Sequence, residues 1–446
     1  MRPRNVLLVG LLGVLLAGPA LPADRARALD AAERRLVAEV EAGTPASLAL
    51  LQQVVDVNSG TMNREGVRAV AEILRPRFEA LGFRVRWVDG SAGGRAGHLV
   101  AERAGRDARL RVLLIGHLDT VFERDSPFQR FEHLSDSTAR GPGVSDMKGG
   151  DVILLLALRA LEKAGALERL HVTAVLTGDE EKSGRPLELA RRDLIEAARG
   201  ADVAIGFEDG AGDPRTPVIS RRSAGGWTLF ARGTSAHSSQ VFKPGVGTGA
   251  IFEAARILEA FRDSLAGVPW LTFNPGVVLG GTSVRVEPDS TRGTAFGKTN
   301  VVAESTVVAG DLRAISPGQR DSAQATMRRI VSRHLPGTDA AISFDDGYPP
   351  LPPAEGNRRL LAAYDAASRD LGYGPVTAVA PDRAGAADIS FTSGLIPMAM
   401  DGIGMMGTGG HTVNETADLR TLPMNAKRVA LMLLRLSQKP PRSPAP

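Results

Sequence analysis

Residues 110–120 read LRVLLIGHLDT, an apolar run that ends in a histidine and a carboxylate. A short apolar run that contains β-branched residues is typical of a buried strand. The segments that follow alternate between helical and strand patterns: Lys148–Lys163, His171–Leu176, Pro186–Ala198 and Val203–Phe207. Alternating strands and helices predict an α/β fold, in which helices flank a mainly parallel sheet.

The pattern changes near Ser220. Short β-rich runs then alternate with two helical patterns, Gly245–Leu265 and Pro317–Leu335, which predicts a small α+β unit. Because a chain of 446 residues is too long for one compact core, we expect this unit to be inserted into a larger domain. The predicted parts are 29–221 and 337–438 for the larger domain, 222–336 for the insertion and 439–446 for a disordered tail.

The first residues have the pattern of a secretory signal peptide. Two arginines precede an apolar run from Val6 to Leu16, and small residues and prolines follow up to Ala23. A membrane anchor would need about 20 apolar residues, so we expect cleavage of residues 1–23 and no stable membrane anchor. This interpretation predicts an exported protein, periplasmic or secreted.

Composition narrows the possible functions. The chain has 54 basic and 50 acidic residues and no basic block flanked by aromatic residues, so we expect no nucleic-acid partner. It has no cysteine, which excludes thiol catalysis and thiolate metal sites. Any metal ion must be bound by histidine, aspartate and glutamate, and these donors suit zinc, manganese or cobalt.

Histidines and carboxylates stand where the predicted strands end. His117 and Asp119 follow the first strand, the run TGDEE at 177–181 follows the second, and Glu208 follows the third. Taken singly, each group has an ordinary explanation, such as a core hydrogen bond or a solvated acidic surface. In a parallel sheet, however, the carboxyl ends of the strands meet at one edge, where ligands gather.

Two further segments add to this set. Asp146 ends the tight turn GPGVSD just ahead of an apolar helical pattern, where it could simply be a helix N-cap. His411 ends the glycine-rich run GTGGH, and such loops let the backbone approach a ligand or ion closely. Five such features in one chain predict a site for two metal ions that share a carboxylate.

These motifs resemble those of a known family of zinc peptidases, which includes carboxypeptidase G, acetylornithine deacetylase, succinyl-diaminopimelate desuccinylase and aminoacylase. The resemblance spans about Thr44 to Leu436 and rests on the following order: His117-x-Asp119, Asp146-x-Lys148-Gly149, Glu180-Glu181, Glu208 and His411. It implies a zinc exopeptidase-like catalytic domain with an inserted lid and dimerisation domain at 222–336. A homodimer through that inserted domain is therefore expected.

The resemblance also implies a ligand set for two zinc ions, for which cobalt or manganese could substitute. Asp146 would bridge the two ions. His117 and Glu208 would complete one metal site, and Glu181 and His411 would complete the other.

Catalytic roles follow from the same resemblance. Asp119 would orient His117 from behind. Glu180 would be the general base, which takes a proton from the attacking water and passes it to the leaving amine.

Further residues are implied in the inserted domain and near His411. His237, in GTSAHS, resembles the family histidine that reaches the active site of the neighbouring subunit and stabilises the oxyanion. Arg313, in GDLR, resembles the arginine that binds the substrate carboxylate. Asn300 and Gly409 would assist in substrate binding.

The expected function is that of an exported dinuclear zinc hydrolase, similar to glutamate carboxypeptidase, which cleaves a peptide or N-acyl amide bond next to a free carboxylate. Its substrates would be small peptides or N-acyl amino acids. One alternative is a zinc aminopeptidase or dipeptidase. Another is a non-catalytic peptide-binding protein, but all five expected ligands and Glu180 are present, whereas lost ligands would mark such a protein.

Overall fold

A computed structural model describes residues 27–287 and 292–440. The predicted signal peptide at 1–23, and residues 441–446 of the predicted tail, lie outside these ranges. Within the ranges, no helix is both long enough and apolar enough to cross a membrane.

Helices and strands alternate through much of the chain. The described α-helices are α1 (Ala31–Val55), α2 (Arg64–Ala80), α3 (Lys148–Lys163), α4 (Leu187–Ala190), α5 (Arg192–Ala198), α6 (Ala250–Leu265), α7 (Pro317–Val331), α8 (Glu355–Asp370) and α9 (Thr421–Gln438). The described strands are β1 (Arg84–Asp89), β2 (Gly97–Ala104), β3 (Leu110–His117), β4 (Glu132–Ser135), β5 (Thr138–Arg140), β6 (Leu170–Thr177), β7 (Val203–Gly206), β8 (Ala224–Gly233), β9 (Thr272–Gly281), β10 (Ser283–Val286), β11 (Gly293–Phe296), β12 (Ser305–Arg313), β13 (Thr338–Tyr348), β14 (Met398–Met400), β15 (Gly407–Thr408) and β16 (Thr416–Asp418).

The main sheet has six strands in the order β1-β2-β6-β3-β7-β14. Strands β6, β3, β7 and β14 are parallel to one another. Strand β2 pairs antiparallel with β6 on one side and with the edge strand β1 on the other. The predicted α/β fold with a mainly parallel sheet is therefore confirmed.

Strand β3 is covered on both faces, which explains its almost continuously apolar sequence. Val112 and Leu114 pack into one core, which also contains residues of α1, α3 and α9. Leu113 and Ile115 point the other way, into a second core that contains residues of α5. Successive side chains of a strand point to opposite faces, so a central parallel strand that is covered on both faces needs apolar residues at nearly every position.

A second sheet has the order β13-β8-β12-β9, and all its pairs are antiparallel. Helices α6 and α7 contribute to a separate core on one face of this sheet, where Trp227 and Leu229 of β8 pack with Ile257 and Phe261 of α6. The chain thus contains the small α+β unit that the sequence predicts between its α/β parts.

The last strand of the second sheet, β13, begins at Thr338 and lies beyond the predicted end of the insertion at residue 336. Its side chains alternate between partly and fully exposed positions, so it lacks the apolar run by which buried strands are recognised. We therefore place the carboxyl-terminal limit of the second unit at about Tyr348; the division into domains otherwise stays a prediction.

The chain crosses between the two units at two paired segments. Arg221 and Leu351 exchange both backbone hydrogen bonds, each 2.9 Å long, just outside β8 and β13. The start of β8 and the end of β13 are therefore fixed side by side next to the main sheet.

Candidate metal centre

The parallel strands deliver the predicted ligands to one edge of the main sheet. Strand β3 ends at His117, β6 is followed by the run that contains Glu180 and Glu181, and β7 is followed by Glu208. These strands are neighbours in the order β6-β3-β7 and point the same way, so their carboxyl ends lie together.

Asp146 lies between two histidines at this edge. Its Oδ1 atom is 3.2 Å from His117 Nε2, and its Oδ2 atom is 3.1 Å from His411 Nε2. Glu208 Oε1 is 3.6 Å from His117 Nε2, and Glu181 Oε2 is 3.2 Å from His411 Nε2. Two groups of three ligands result, and Asp146 belongs to both.

The position of Asp146 decides between the two interpretations of its sequence motif. The N-cap residue of α3 is Met147, and no side chain caps the helix there. The Asp146 carboxylate instead contacts the two imidazoles, so it is a member of the cluster and does not cap α3.

The charges of the cluster are strongly coupled. Burial alone would raise the pKa of Asp146, but hydrogen bonds from His117 and His411 hold it well below its ordinary value. Burial raises the pKa of Glu208 well above its ordinary value and also raises that of Glu181, with a contribution from the negative charge of Asp146 in both cases. Three carboxylates that crowd together in a largely buried place are stabilised by positive charge.

The donor set fits two divalent cations. Ligand atoms that bind a tetrahedral zinc ion at about 2.0–2.1 Å lie about 3.3 Å from one another. The four N···O distances of the cluster are 3.2, 3.6, 3.1 and 3.2 Å. Nitrogen and oxygen donors are also the types that zinc, cobalt and manganese accept, so the residues suit the predicted pair of ions.

Asp119 is buried behind the cluster and holds two parts of it. Its backbone carbonyl lies 3.1 Å from His117 Nδ1, which leaves Nε2 directed at Asp146. Its carboxylate accepts hydrogen bonds from the backbone N–H of Glu180 at 3.1 Å and of Glu181 at 3.2 Å. The contact to His117 that the sequence predicts therefore runs mainly through the Asp119 carbonyl, while the carboxylate positions the Glu180–Glu181 turn.

Glu180 stands at this turn with a perturbed carboxyl group. Burial raises the pKa of Glu180 well above its ordinary value; His117 opposes this shift, and Asp388 and Glu181 add to it. A carboxylate with a raised pKa is a stronger base, which suits a group that takes a proton from water.

A residue that the sequence did not single out, Glu415, supports Asp146. Its carboxylate accepts hydrogen bonds from the backbone N–H of Gly143 at 3.0 Å, Ser145 at 2.9 Å and Asp146 at 3.1 Å. Ser145 Oγ adds a fourth contact at 3.1 Å. Glu415 thus holds the GPGVSD turn by accepting four hydrogen bonds, a role that a lone glutamate in a loop does not signal in sequence.

Asp401 supports Glu208 in a similar way. Its Oδ1 atom accepts the backbone N–H of Glu208 at 3.3 Å, and its Oδ2 atom accepts Arg221 Nε at 2.8 Å. Asp401 directly follows β14, so this fourth parallel strand also ends in a carboxylate at the same edge.

Below the Glu180 turn, Arg191 is fully buried between two carboxylates. It donates to Asp179 Oδ1 and to Asp388 Oδ1, both at 2.6 Å. Arg191 Nη2 also donates to the hydroxyl of Tyr348 at 2.7 Å. Burial and the charge of Asp388 raise the pKa of Tyr348 well above its ordinary value, so its hydroxyl keeps its proton.

The glycine-rich loop brings His411 over the cluster. Gly409 has a φ of 76°, and a Cβ atom there would meet the backbone oxygen of Asn414 at 2.6 Å. His411 also has a positive φ, 62°. Gly409 therefore shapes the loop that carries His411; its predicted contact with substrate stays a prediction.

The remaining predicted residues lie on the second unit. His237 is exposed. Ser238, which follows His237, donates its backbone N–H to the carbonyl oxygen of Asn300 at 2.9 Å. Arg313 Nε donates to Asp311 at 3.0 Å. Among the described residues, no hydrogen bond or ion pair joins His237, Asn300 or Arg313 to the metal-ligand cluster of the same chain.

Comparisons of the sequence identify a family and relatives. A model described as peptidase family M20/M25/M40 matches residues 113–435. Carboxypeptidase G2 of Pseudomonas sp. (strain RS-16) is 27% identical over 401 residues, which cover 88% of this chain and 89% of that protein. Acetylornithine deacetylase of Salmonella arizonae is 32% identical over 223 residues, which cover 46% of this chain and 54% of that protein.

Solved structures share the fold. Aminopeptidase PepT of Bacillus cereus has a TM-score of 0.66 at 18% identity, over 91% of this chain and 98% of that one. A metallo-carboxypeptidase of the M20 family from Sulfolobus solfataricus has a TM-score of 0.63 at 17% identity, over 88% and 99%. A dinuclear metal-binding peptidase of the M20 family from Bacillus subtilis has a TM-score of 0.61 at 16% identity, over 90% and 99%.

Proposed function

The chain belongs to peptidase family M20/M25/M40, and on that premise we propose that it is an exported dinuclear zinc hydrolase. We propose that it cleaves a peptide or N-acyl amide bond next to a free carboxylate, as a glutamate carboxypeptidase does. The likeness to carboxypeptidase G2, which extends over most of both chains, supports this substrate class.

One observation carries the dinuclear assignment. The two oxygens of Asp146 face two different imidazoles, each of which has a further carboxylate beside it. A carboxylate in this position can bridge two cations. The proposed sites are His117, Asp146 and Glu208 for one ion, and Asp146, Glu181 and His411 for the other. When bound there, two zinc ions would lower the pKa of a water molecule and polarise the scissile carbonyl.

The residues of this chain would then move the proton. Glu180 takes the proton of the attacking water and delivers it to the leaving nitrogen, so that the amine departs uncharged. The Asp119 carboxylate holds the backbone of Glu180 in place for this transfer. A positioned general base of this type contributes about 10²–10⁴-fold to the rate.

Substrate binding would come from the second unit of a homodimer. We propose that His237 of one subunit donates a hydrogen bond to the oxyanion in the active site of the other, because in its own chain it is exposed and lies outside the metal-ligand cluster. Arg313 would bind the substrate carboxylate through its guanidinium group, with help from Asn300 and Gly409.

Export is proposed from residues 1–23 alone. An exported hydrolase of this kind would act on small peptides or N-acyl amino acids outside the cytoplasm. Mass measurement of the amino terminus of protein recovered from the periplasm and the medium tests this part. Recovery of the intact amino terminus in the cytoplasm alone would contradict it.

The substrate class is tested with a matched panel. Zinc-loaded protein is incubated with N-acyl glutamate, with the same compound amidated at its α-carboxyl group, and with dipeptides that have a free amino group. Hydrolysis of the first and not of the second supports cleavage next to a free carboxylate. Equal rates on the free acid and the amide would contradict it, and a strict requirement for the free amino group would favour an aminopeptidase or dipeptidase.

A further inference from the structure

The backbone of Glu180 is held at both ends, from two different units of the fold. Its N–H donates to Asp119 at the end of β3. Its carbonyl oxygen lies 3.2 Å from the hydroxyl of Tyr348, which is the last residue of β13 in the second sheet. Ser183 Oγ is the next nearest donor, at 3.5 Å from the same carbonyl.

Tyr348 reaches this position because β13 is bulged just before it. Asp345 pairs with Gly226 and Tyr348 pairs with Ala224, so three steps along β13 match two steps along β8. Gly347 within the bulge has a φ of 53°, and a Cβ atom there would lie 1.9 Å from the backbone oxygen of Ala224. Bulges of this kind redirect a side chain, and here the tyrosine points away from its own sheet and contacts the segment that follows β6.

The Tyr348 ring and hydroxyl are then fixed on several sides. The ring packs edge-on against Phe391 with a centroid distance of 5.0 Å. Arg191 donates to the hydroxyl at 2.7 Å, and Ser183 Oγ lies 3.0 Å from it. The hydroxyl has one proton, and both the Glu180 carbonyl and Asp388 Oδ1, at 3.0 Å, are within reach of it.

We propose that Tyr348 is a positioning residue for the general base, through which the second unit holds the Glu180 turn in its catalytic conformation. Asp345 of the same strand also forms an ion pair with Arg185 of the main unit, at 3.2 and 3.0 Å, close to this turn. The end of β13 therefore contacts the segment 180–185 at two places. Among the described residues, no hydrogen bond joins the Tyr348 side chain to a proposed metal ligand. Loss of its hydroxyl should therefore affect proton transfer by Glu180 and not metal binding.

The inference rests on the proposed role of Glu180, and its test compares two tyrosines. Tyr348→Phe removes the hydroxyl and keeps the ring. Tyr364→Phe is the matched control, because Tyr364 is also buried and its hydroxyl contacts Asn425 at 3.3 Å, in the helical layer away from the turn. We expect kcat to fall about 5- to 30-fold in Tyr348→Phe, as the loss of one or two hydrogen bonds would predict, with KM and metal content unchanged. Tyr364→Phe should keep its kcat.

A second measurement does not need substrate or metal. Hydrogen exchange of a peptide that covers residues 179–184 should be faster in Tyr348→Phe than in the wild-type protein and in Tyr364→Phe. The reason is that the turn has lost the hydrogen bond from the Tyr348 hydroxyl to the Glu180 carbonyl. In the Glu180→Gln background, adding Tyr348→Phe should cause little further loss of kcat, since the hydroxyl acts through Glu180.

The outcomes separate this inference from the proposed function. Absence of hydrolysis by the wild-type protein, or full activity of Glu180→Gln, contradicts the proposed function. Hydrogen exchange at residues 179–184 still tests whether Tyr348 stabilises the turn, because it needs no activity. Unchanged exchange and unchanged kcat in Tyr348→Phe overturn the inference, as does an undiminished further loss in the Glu180→Gln background. If Tyr348→Phe does not fold, Tyr348→His is measured in its place, because the imidazole keeps an aromatic ring and removes the phenolic hydroxyl; unchanged exchange at 179–184 and unchanged kcat there overturn the inference.

Discussion

The Asp119 carboxylate accepts the backbone N–H of Glu180, so the residue that backs one metal ligand also fixes the proposed base. Asp119→Asn would replace one acceptor oxygen by an NH2 group that faces a backbone N–H. We expect metal affinity or kcat to fall about 10- to 100-fold, as is usual when a residue that supports metal ligands is changed.

Asp365→Asn is the control for Asp119→Asn, because Asp365 also accepts a backbone N–H, that of Val376 at 2.8 Å, outside the site. Isothermal titration with zinc and steady-state kinetics measure both effects. Equal behaviour of the two variants would remove Asp119 from its supporting role.

Glu180→Gln should keep two metal ions and lower kcat about 10²–10⁴-fold, because the amide cannot accept the proton of the attacking water. Glu188→Gln, at an exposed position on α4, should leave kcat unchanged. Rates are measured on protein whose metal content has been checked. Near-normal turnover by metal-loaded Glu180→Gln would assign the proton transfer to another group.

Arg191→Met should destabilise the protein by about 3–5 kcal/mol, because Asp179 and Asp388 would remain buried without their partner. Arg185→Met is the contrasting variant: its ion pair with Asp345 is exposed, and such pairs contribute about 0–1 kcal/mol. Urea unfolding of the metal-free proteins gives both values. Similar losses of unfolding free energy in the two variants would show that burial of the Arg191 ion pairs does not add to stability.

The shared active site predicts complementation between two inactive proteins. His237→Ala alone should lower kcat about 10²–10³-fold, as the loss of an oxyanion donor does. When it is mixed with Glu180→Gln and the subunits exchange completely, each heterodimer has one site with both native residues. The recovered rate should approach about a quarter of the wild-type rate, because half the dimers are mixed and one of their two sites is intact.

His334→Ala is the control for His237→Ala, since His334 is on the same unit and contacts Glu253 at 3.5 Å. It should be fully active on its own. Verified subunit exchange without recovery of activity would contradict a contribution of His237 from the partner subunit.

The sequence predicts those parts of the site that follow directly from strand ends. Helix α3 has the predicted bounds, Lys148–Lys163, because an apolar run is bounded there by the GPGVSD turn and by Gly165. The ligands after β3, β6 and β7 could be placed at one edge because parallel strands share their carboxyl ends.

Other elements depend on contacts that a local pattern does not contain. The predicted helix at 186–198 is two short helices that meet at Arg191, whose side chain binds Asp179 and also Asp388, which is distant in sequence. The predicted helix at 245–265 begins only at Ala250, because Gly245, Gly247 and Gly249 all have positive φ angles.

The supporting residues Glu415 and Tyr348 were missed for the same reason. Glu415 binds a turn about 270 residues away in sequence, at Ser145 and Asp146, and nothing next to it in the chain indicates this. Tyr348 ends a strand whose exposed alternation did not mark it as part of a sheet. Patterns of neighbouring residues reveal ligands at strand ends, whereas the hydrogen bonds that hold those ligands form only in the folded chain.

Metal content of the Asp146 variant tests the central claim most directly. Asp146 is the one member common to both ligand groups of the described residues, whereas Glu208 belongs to one of them. Zinc bound per chain is measured by mass spectrometry for the wild-type protein, Asp146→Ala and Glu208→Ala after the same exposure to zinc and the same wash. The account predicts two zinc ions in the wild-type protein and a greater loss of zinc in Asp146→Ala than in Glu208→Ala. Two tightly bound zinc ions in Asp146→Ala would contradict it.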